Sequence, residues 1–362
     1  MSPLLPDPDP LGLPAPAWLL KTLLIATFAL HLLPMNLVLG GSFVAAWAAL
    51  KGRPGPAGGL RWRALAEALA RLLPPATAFT ITTGIAPLLF LQVLYGQLFY
   101  TSSVLMAWSW LAVIGLLLVG YYSTYGFSLG RGSSPSPGLA LLSAGAFTVI
   151  ALIFTNNMTL MLRPEAWAAL YAEDERGLHL NLADPVLWPR FLHFWIASFA
   201  LTGLAVALLG RGREKRDPET GAWMRRLGLR LFSLATLVQL AAGLWLLLSL
   251  PGRVRRVFLG DDPGDTALLW TSVLLALVSL AVVRRHLLAG AGLVGAAVLG
   301  MAIVRHSVRE ASLAPHFSTT TLRVEAQTAP FVLFLVLFLV GIAVVAWMVG
   351  RLARAAEPKA GG

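Results

Sequence analysis

The stretch PRFLHFWIASFALTGLAVALLG, Pro189 to Gly210, decides the fold. From Phe191 to Gly210 it holds no Asp, Glu, Lys or Arg. Twenty residues of α-helix measure about 30 Å, the thickness of a bilayer's hydrocarbon core. A strand would end sooner, and a helix lying on a soluble core would show one charged face. The segment therefore reads as a membrane span, with a single imidazole, His193, about one turn inside it.

Outward from this span, eight more runs of the same kind are found. The expected set is Trp18–Leu50, Thr77–Gly96, Ser103–Leu129, Leu139–Met161, Phe191–Gly210, Leu229–Leu250, Thr266–Val283, Leu287–Val304 and Pro330–Val349. Prolines mark several edges (Pro74–Pro75, Pro137, Pro189, Pro251, Pro263, Pro330), while Pro34 and Pro87 lie inside spans, which membrane helices tolerate. The bulk composition agrees: 57% of the 362 residues are hydrophobic and 12% charged, with mean hydropathy +0.74. A soluble domain carries about 25% charged residues. The expected fold is an all-α membrane protein of about nine transmembrane helices, arranged as two four-helix bundles plus one extra helix. Its parts are an outer N-terminal segment (1–16), a first four-helix half (17–162), an outer loop (163–189), a second half (190–306), a second outer loop (307–329), a ninth helix (330–350) and a cytoplasmic tail (351–362). Met1–Pro16 is proline-rich without a basic region, so no cleaved signal is expected.

The net charge of +11 raises the question of nucleic acid, but its distribution excludes that class. Alternate connections hold Lys51 to Arg71, Arg131, Arg211 to Arg230, Arg284–Arg285 and Arg351 to Lys359, 18 cations in all. The other connections hold 9, together with most of the acids, and Lys21 lies near the outer end of the first span. By the positive-inside rule the richer side is cytoplasmic. An odd number of spans then places the N-terminus in the periplasm and the C-terminus in the cytoplasm of a bacterial inner membrane. Arg61–Leu73 has basic and apolar faces and either lies on the membrane surface or extends the second span.

A repeat is suggested by spacing. FALHLL at Phe28–Leu33 resembles FLHFWI at Phe191–Ile196, with His31 and His193 separated by 162. TTGIAPLLFL from Thr82 resembles AAGLWLLLSL from Ala241, with Gly84 and Gly243 separated by 159. Two related halves would produce this, and so would chance similarity between apolar helices.

Chemistry has few carriers. No cysteine is present, which excludes disulfides, iron–sulfur clusters and covalent haem attachment. No ionisable group other than histidine lies mid-span, which speaks against an ion-coupled pump. His31, His193 and His306 fall in the outer half of spans one, five and eight. Neutral imidazoles in an apolar bundle suit haem iron, and Arg305 and Arg309 beside His306 suit haem propionates. The same histidines are also open to a reading as hydrogen-bonded packing residues, and the arginines as interfacial charges. His179, His286 and His316 lie in connections or at a membrane edge. Met35, Met158, Met161 and Met301 read mainly as core or lipid-facing residues.

The residues TNNMTLMLRPEAW (Thr155–Trp167) and DPVLWPRFLHFWIASFALTG (Asp184–Gly203) resemble subunit I of cytochrome bd-type quinol oxidases, as do His31, the nine spans and the outer N-terminus. The resemblance is most specific over residues 18–210. It implies that His193 binds a low-spin haem b and that His31 serves a second haem centre. In that family a Glu-x-Gly-Arg-like element ends span eight, where this chain has MAIVRHSVRE, so His306 stands near the glutamate's place. The chain departs from the family in its acid-free third span, its short connection Pro251–Asp265 and its lack of a methionine early in span seven. The first removes the family's proton route, the second shortens its quinol-binding loop, and the third leaves the usual partner of His193 unassigned. The expected function is therefore haem b-dependent electron transfer between the quinone pool and a periplasmic redox partner such as a c-type cytochrome, with room for a second membrane subunit. The rival expectations are a quinol–oxygen oxidoreductase with a shortened quinol loop, and a haem-free transporter or scaffold on the same bundle.

Overall fold

The computed structural model describes residues 5–7, 11–53, 59–130 and 135–355. Arg131 and Lys359, counted above among the basic connections, lie outside them. The helices are α1 (Ala17–Lys51), α2 (Gly59–Leu105), α3 (Ala107–Leu129), α4 (Pro137–Leu160), the short α5 (Trp167–Glu173), α6 (Leu187–Arg213), α7 (Pro218–Ser249), the short α8 (Gly252–Arg256), α9 (Pro263–Arg285), α10 (Leu287–Leu313) and α11 (Thr328–Ala355). Among the described residues, nine are long and apolar enough to cross a membrane, and no strand forms. The protein is an all-α, multi-pass membrane protein.

Several helix ends differ from the sequence-based expectation. Pro74 and Pro75 do not mark an edge: α2 runs from Gly59 straight through both, so Arg61–Leu73 is its first part and not a separate surface helix. That length is favoured because Leu65, Leu69 and Leu73 bury one face among the alanines of α1 and α7's Met224. The non-helical break in α2 lies instead at Tyr95. The sixth span begins earlier, at Pro218, where Asp217 accepts the amide of Thr220 as an N-cap. The eighth span does not end at His306. It continues to Leu313, because Arg309 and Leu313 find buried places in the bundle, so residues 307–313 belong to the helix and not to a loop. The ninth helix spans Thr328–Ala355, and none of its apolar window is buried in the bundle.

The helices pack as antiparallel hairpins, α1 with α2, α3 with α4, α6 with α7 and α9 with α10. The α6–α7 hairpin closes through glycines seven residues apart on each helix, Gly203 and Gly210 facing Gly221 and Gly228. A Cβ on Gly203 would lie 2.5 Å from Phe232 N, and one on Gly228 would lie 2.4 Å from Ala207 N. Small residues let membrane helices gain backbone-to-backbone dispersion where no hydrophobic drive exists between them. The corresponding α1–α2 hairpin uses alanines (Ala45, Ala48, Ala49, Ala66, Ala70). The two halves meet where α1 crosses α6: a Cβ on Gly40 would lie 2.4 Å from Ser198 O. The halves differ at one helix. α4 packs along α1, whereas its counterpart α10 barely touches α6 and leans on α1 instead.

One end of the bundle carries the arginine-rich connections and is called the basic end below. At the opposite end, Leu13 pairs with Val324: Leu13 N donates to Arg323 O and Glu325 N donates to Leu13 O, each at 2.8 Å. The starts of α1 and α11 therefore lie on the same side. The connection after α4 is tied down there as well. Asn156 Oδ1 accepts from Asn181 N at 2.8 Å, and Asn157 bonds Ser102 and Ser103 of α2. Asp184, 4% exposed, accepts from Arg163 at 3.0 Å, Asn181 at 3.2 Å and the amide of Val186 at 2.7 Å. Its carboxylate in turn pushes the Arg163 guanidinium's pKa up through their hydrogen bond. Asp184→Ala removes the acceptor of the Val186 amide and of Asn181 at the start of α6, while the half-exposed Arg163 keeps Glu165, and losing hydrogen bonds of this kind costs about 0.5–1.5 kcal/mol each. The expected outcome is a drop in stability of about 2 kcal/mol in detergent, read by thermal unfolding.

Candidate functional site

Two imidazoles are held in the same way in the two halves. On α1, His31 Nδ1 lies 3.1 Å from the carbonyl oxygen of Thr80 on α2. On α6, His193 Nδ1 lies 3.1 Å from the carbonyl oxygen of Gln239 on α7. A carbonyl only accepts, so in both rings Nδ1 carries the proton and, in the neutral ring, Nε2 keeps its lone pair. Four residues after each carbonyl stands a glycine, Gly84 or Gly243. A Cβ on Gly84 would come within 2.8 Å of His31 Cε1, and one on Gly243 within 3.0 Å of His193 Cε1. The imidazole takes the space a side chain would fill, which is the physical reason for glycine at these two positions. Neither Nε2 has a hydrogen-bond partner among the described residues.

Both rings lie on the same side of the α1–α6 crossing. His31 precedes Gly40 by nine residues, about 14 Å of helix, and His193 precedes Ser198 by five, about 8 Å. Both are thus displaced from the crossing away from the basic end. The spacing of His31 to His193 and of Gly84 to Gly243 in the sequence corresponds here to one local arrangement built twice.

His306 lies on α10, seven residues before its end, and is built differently. Its Nδ1 is buried with no hydrogen-bond partner among the described residues. The side chain lines an open pocket of about 640 Å³ with Asp265, Glu310 and Phe317. One turn on, Glu310 accepts from Lys21 Nζ of α1 at 2.7 Å and from the Tyr95 hydroxyl of α2. Sequence reasoning missed this cluster, because Glu310 was assigned to a loop and its partners come from two distant helices.

Beside these groups lie three cations. The Arg305 guanidinium stands 4.3 Å from the centre of the Phe28 ring, and that of Arg309, a residue 4% exposed, 5.2 Å from the Tyr95 ring. Arg190 at the start of α6 is near enough to both to repel them. None of the three has a carboxylate within 4.0 Å among the described residues. Asp184 lies near enough to Arg190, and Glu310 to Arg309, to offset part of their charge, and Arg309 also bonds Tyr95, which leaves Arg305 with only its arginine neighbours and the Phe28 ring.

The remaining sequence candidates are used otherwise. His179 Nε2 lies 2.8 Å from Asp174 O and pins its own loop. His286 is exposed at the N-cap of α10, and His316 lies in the turn that follows that helix. Met158 and Met161 are buried core residues packed with Leu94, Leu98 and Trp167.

No protein-family model matches this chain, and no curated protein does.

What the site can do follows from its donors. Among the described residues no three His, Asp or Glu side chains converge as a bare metal ion would require. An axial bond to haem iron needs one imidazole, oriented by a hydrogen bond from its other nitrogen to a carbonyl, and that arrangement is present twice. A guanidinium such as that of Arg305, with no carboxylate within 4.0 Å among the described residues, can also pair with a carboxylate of a bound group. His31 and His193 thus each keep one ring nitrogen free to act as a ligand.

Proposed function

We propose that this protein is a haem b-binding electron-transfer subunit of a bacterial inner membrane, similar in plan to cytochrome bd subunit I. It would link the quinone pool to a periplasmic redox partner such as a c-type cytochrome. The observation that carries this reading is the pair His31 and His193, each with Nδ1 committed to a carbonyl of the neighbouring helix and each lying against a glycine. A packing histidine needs a hydrogen bond, but it does not need the same tautomer and the same glycine in both halves of the bundle.

In this reading the chain's residues have distinct tasks. Thr80 and Gln239 fix ring orientation and tautomer through their carbonyls, and Gly84 and Gly243 admit the rings. Arg190, Arg305 and Arg309 neutralise propionates, while Lys21 and Tyr95 hold Glu310 in place next to His306. Haem iron, when bound, supplies one-electron chemistry that no side chain here provides. The protein contributes ligation, spacing and electrostatics, and His306 adds a third imidazole near the arginines.

The more basic end is assigned to the cytoplasm by the positive-inside rule, with the N-terminus and all three histidine sites towards the periplasm. Oxygen reduction also needs protons delivered to a buried site. α3, which spans Ala107–Leu129, contains no Asp, Glu, Lys or His, so electron transfer is favoured over a terminal oxidase. The separating experiment adds a quinol analogue to the purified protein under air. Bound haem should be reduced with no sustained oxygen uptake; continuous oxygen consumption would establish the oxidase instead.

A further inference from the structure

A second pocket, independent of the haem reading, lies at the basic end. It is formed where the end of α6, the second turn of α7 and the α9–α10 corner meet, and has a volume of about 580 Å³. A single residue, His286, separates α9 from α10. The corner is tight because Gly290 presses on Val283: a Cβ there would lie 2.6 Å from Val283 Cα. That turn leaves Arg284 and Arg285 exposed at the mouth of the pocket, with Arg211 and Arg225 on its other wall.

The charge is not balanced. Arg225 is taken up by Glu214, with Nε 2.7 Å from its carboxylate. Arg211, Arg284 and Arg285 have no carboxylate within 4.0 Å among the described residues. The pocket is also lined by Leu287, Leu288 and Ala289, whose amides precede the first helical bond of α10, Gly290 N to His286 O. These amides add donors, while the dipole of the α10 start is offset by the end of α9 one residue away, so the positive charge of the pocket rests on the arginines. Such a set of donors suits an oxyanion, phosphate among them. Among the described residues the only ring that lines the pocket is the exposed imidazole of His286. Leu288, 61% exposed, gives it an apolar edge where the spans end.

We propose that this pocket binds the headgroup of an anionic phospholipid, with its phosphate among Arg211, Arg284 and Arg285 and its acyl chains along the exposed leucines of α10. Basic pockets between spans at a membrane face recognise such headgroups, and each cation near the surface contributes about 1 kcal/mol.

The test uses the full chain in detergent and measures binding of diphosphatidylglycerol against phosphatidylcholine by native mass spectrometry. Arg284→Gln with Arg285→Gln should weaken diphosphatidylglycerol binding about tenfold to thirtyfold. Arg226→Gln with Arg230→Gln, also exposed but outside the pocket, should leave it unchanged. Arg211→Gln, on a different helix, gives a second reading of the same pocket should the first pair disturb folding. Unchanged binding in the pocket variants, or an equal loss in the outside pair, would overturn the proposal. So would displacement of the lipid by inorganic pyrophosphate at equal concentration, which would make this a free-phosphate site.

Discussion

His193→Ala is expected to abolish one low-spin haem component from the reduced spectrum while the bundle stays folded. The imidazole is the only ligand-capable group of α6, and its loss removes an axial bond that no neighbour can replace. Gln239 offers only a carbonyl there, and Gly243 has no side chain. The fold should survive because the hairpin is closed elsewhere, by Gly203, Gly210, Gly221 and Gly228. His31→Ala should remove a different component and leave the first intact. His179→Ala, which alters only a loop contact, should change neither. The measurement is the reduced-minus-oxidised spectrum of each variant, with monodispersity by gel filtration as the folding control. An unchanged spectrum in His193→Ala would remove that residue from the ligand set.

The second large effect concerns stability. Gly228→Leu places a Cβ 2.4 Å from Ala207 N and 2.5 Å from Gly203 O, both backbone atoms that cannot swing aside. The α6–α7 hairpin must then open along its length. Overpacking a tight core costs about 1–3 kcal/mol when side chains can adjust, so a clash with backbone is expected to cost about 3 kcal/mol or more. His193 should lose its bond to Gln239 as the helices separate, so haem loss should accompany the loss of stability. Gly145→Ala is the control. A Cβ there meets nothing within 4 Å, and removing a glycine from a helix should be neutral or stabilising by up to about 1 kcal/mol. Chemical or thermal unfolding in detergent reads both. Equal stability of Gly228→Leu and the native protein would mean the hairpin contact is not as tight as described.

The number of spans was legible because an apolar run of about 20 residues has the length to cross a bilayer, and nine such helices form among the described residues. Helix ends were less legible. Pro74 and Pro75 looked like boundaries, yet α2 passes through them because the packing of Leu65, Leu69 and Leu73 outweighs what local sequence suggests. His306 looked terminal for a related reason: the Arg and Glu that follow it seemed too polar for a span, but in the bundle Arg309 stacks on Tyr95 and Glu310 is met by Lys21 and Tyr95. Those partners are 215 and 289 residues away from Glu310, beyond any local pattern.

The paired histidines were the reverse case. Their spacing and that of two glycines were visible in the sequence, and the fold turns both spacings into contacts between the same atoms. Visible too was the charge asymmetry between ends, but not that Arg305 of α10 would stand over the Phe28 ring of α1. That follows only from α10 leaning on α1 rather than on α6.

The most direct measurement is haem content. The native chain, expressed in cells that make haem b and purified in detergent, should show a Soret band and a reduced α-band of b type, with bound haem confirmed by extraction. A folded, monodisperse protein with neither band would contradict the assignment of His31 and His193 as iron ligands.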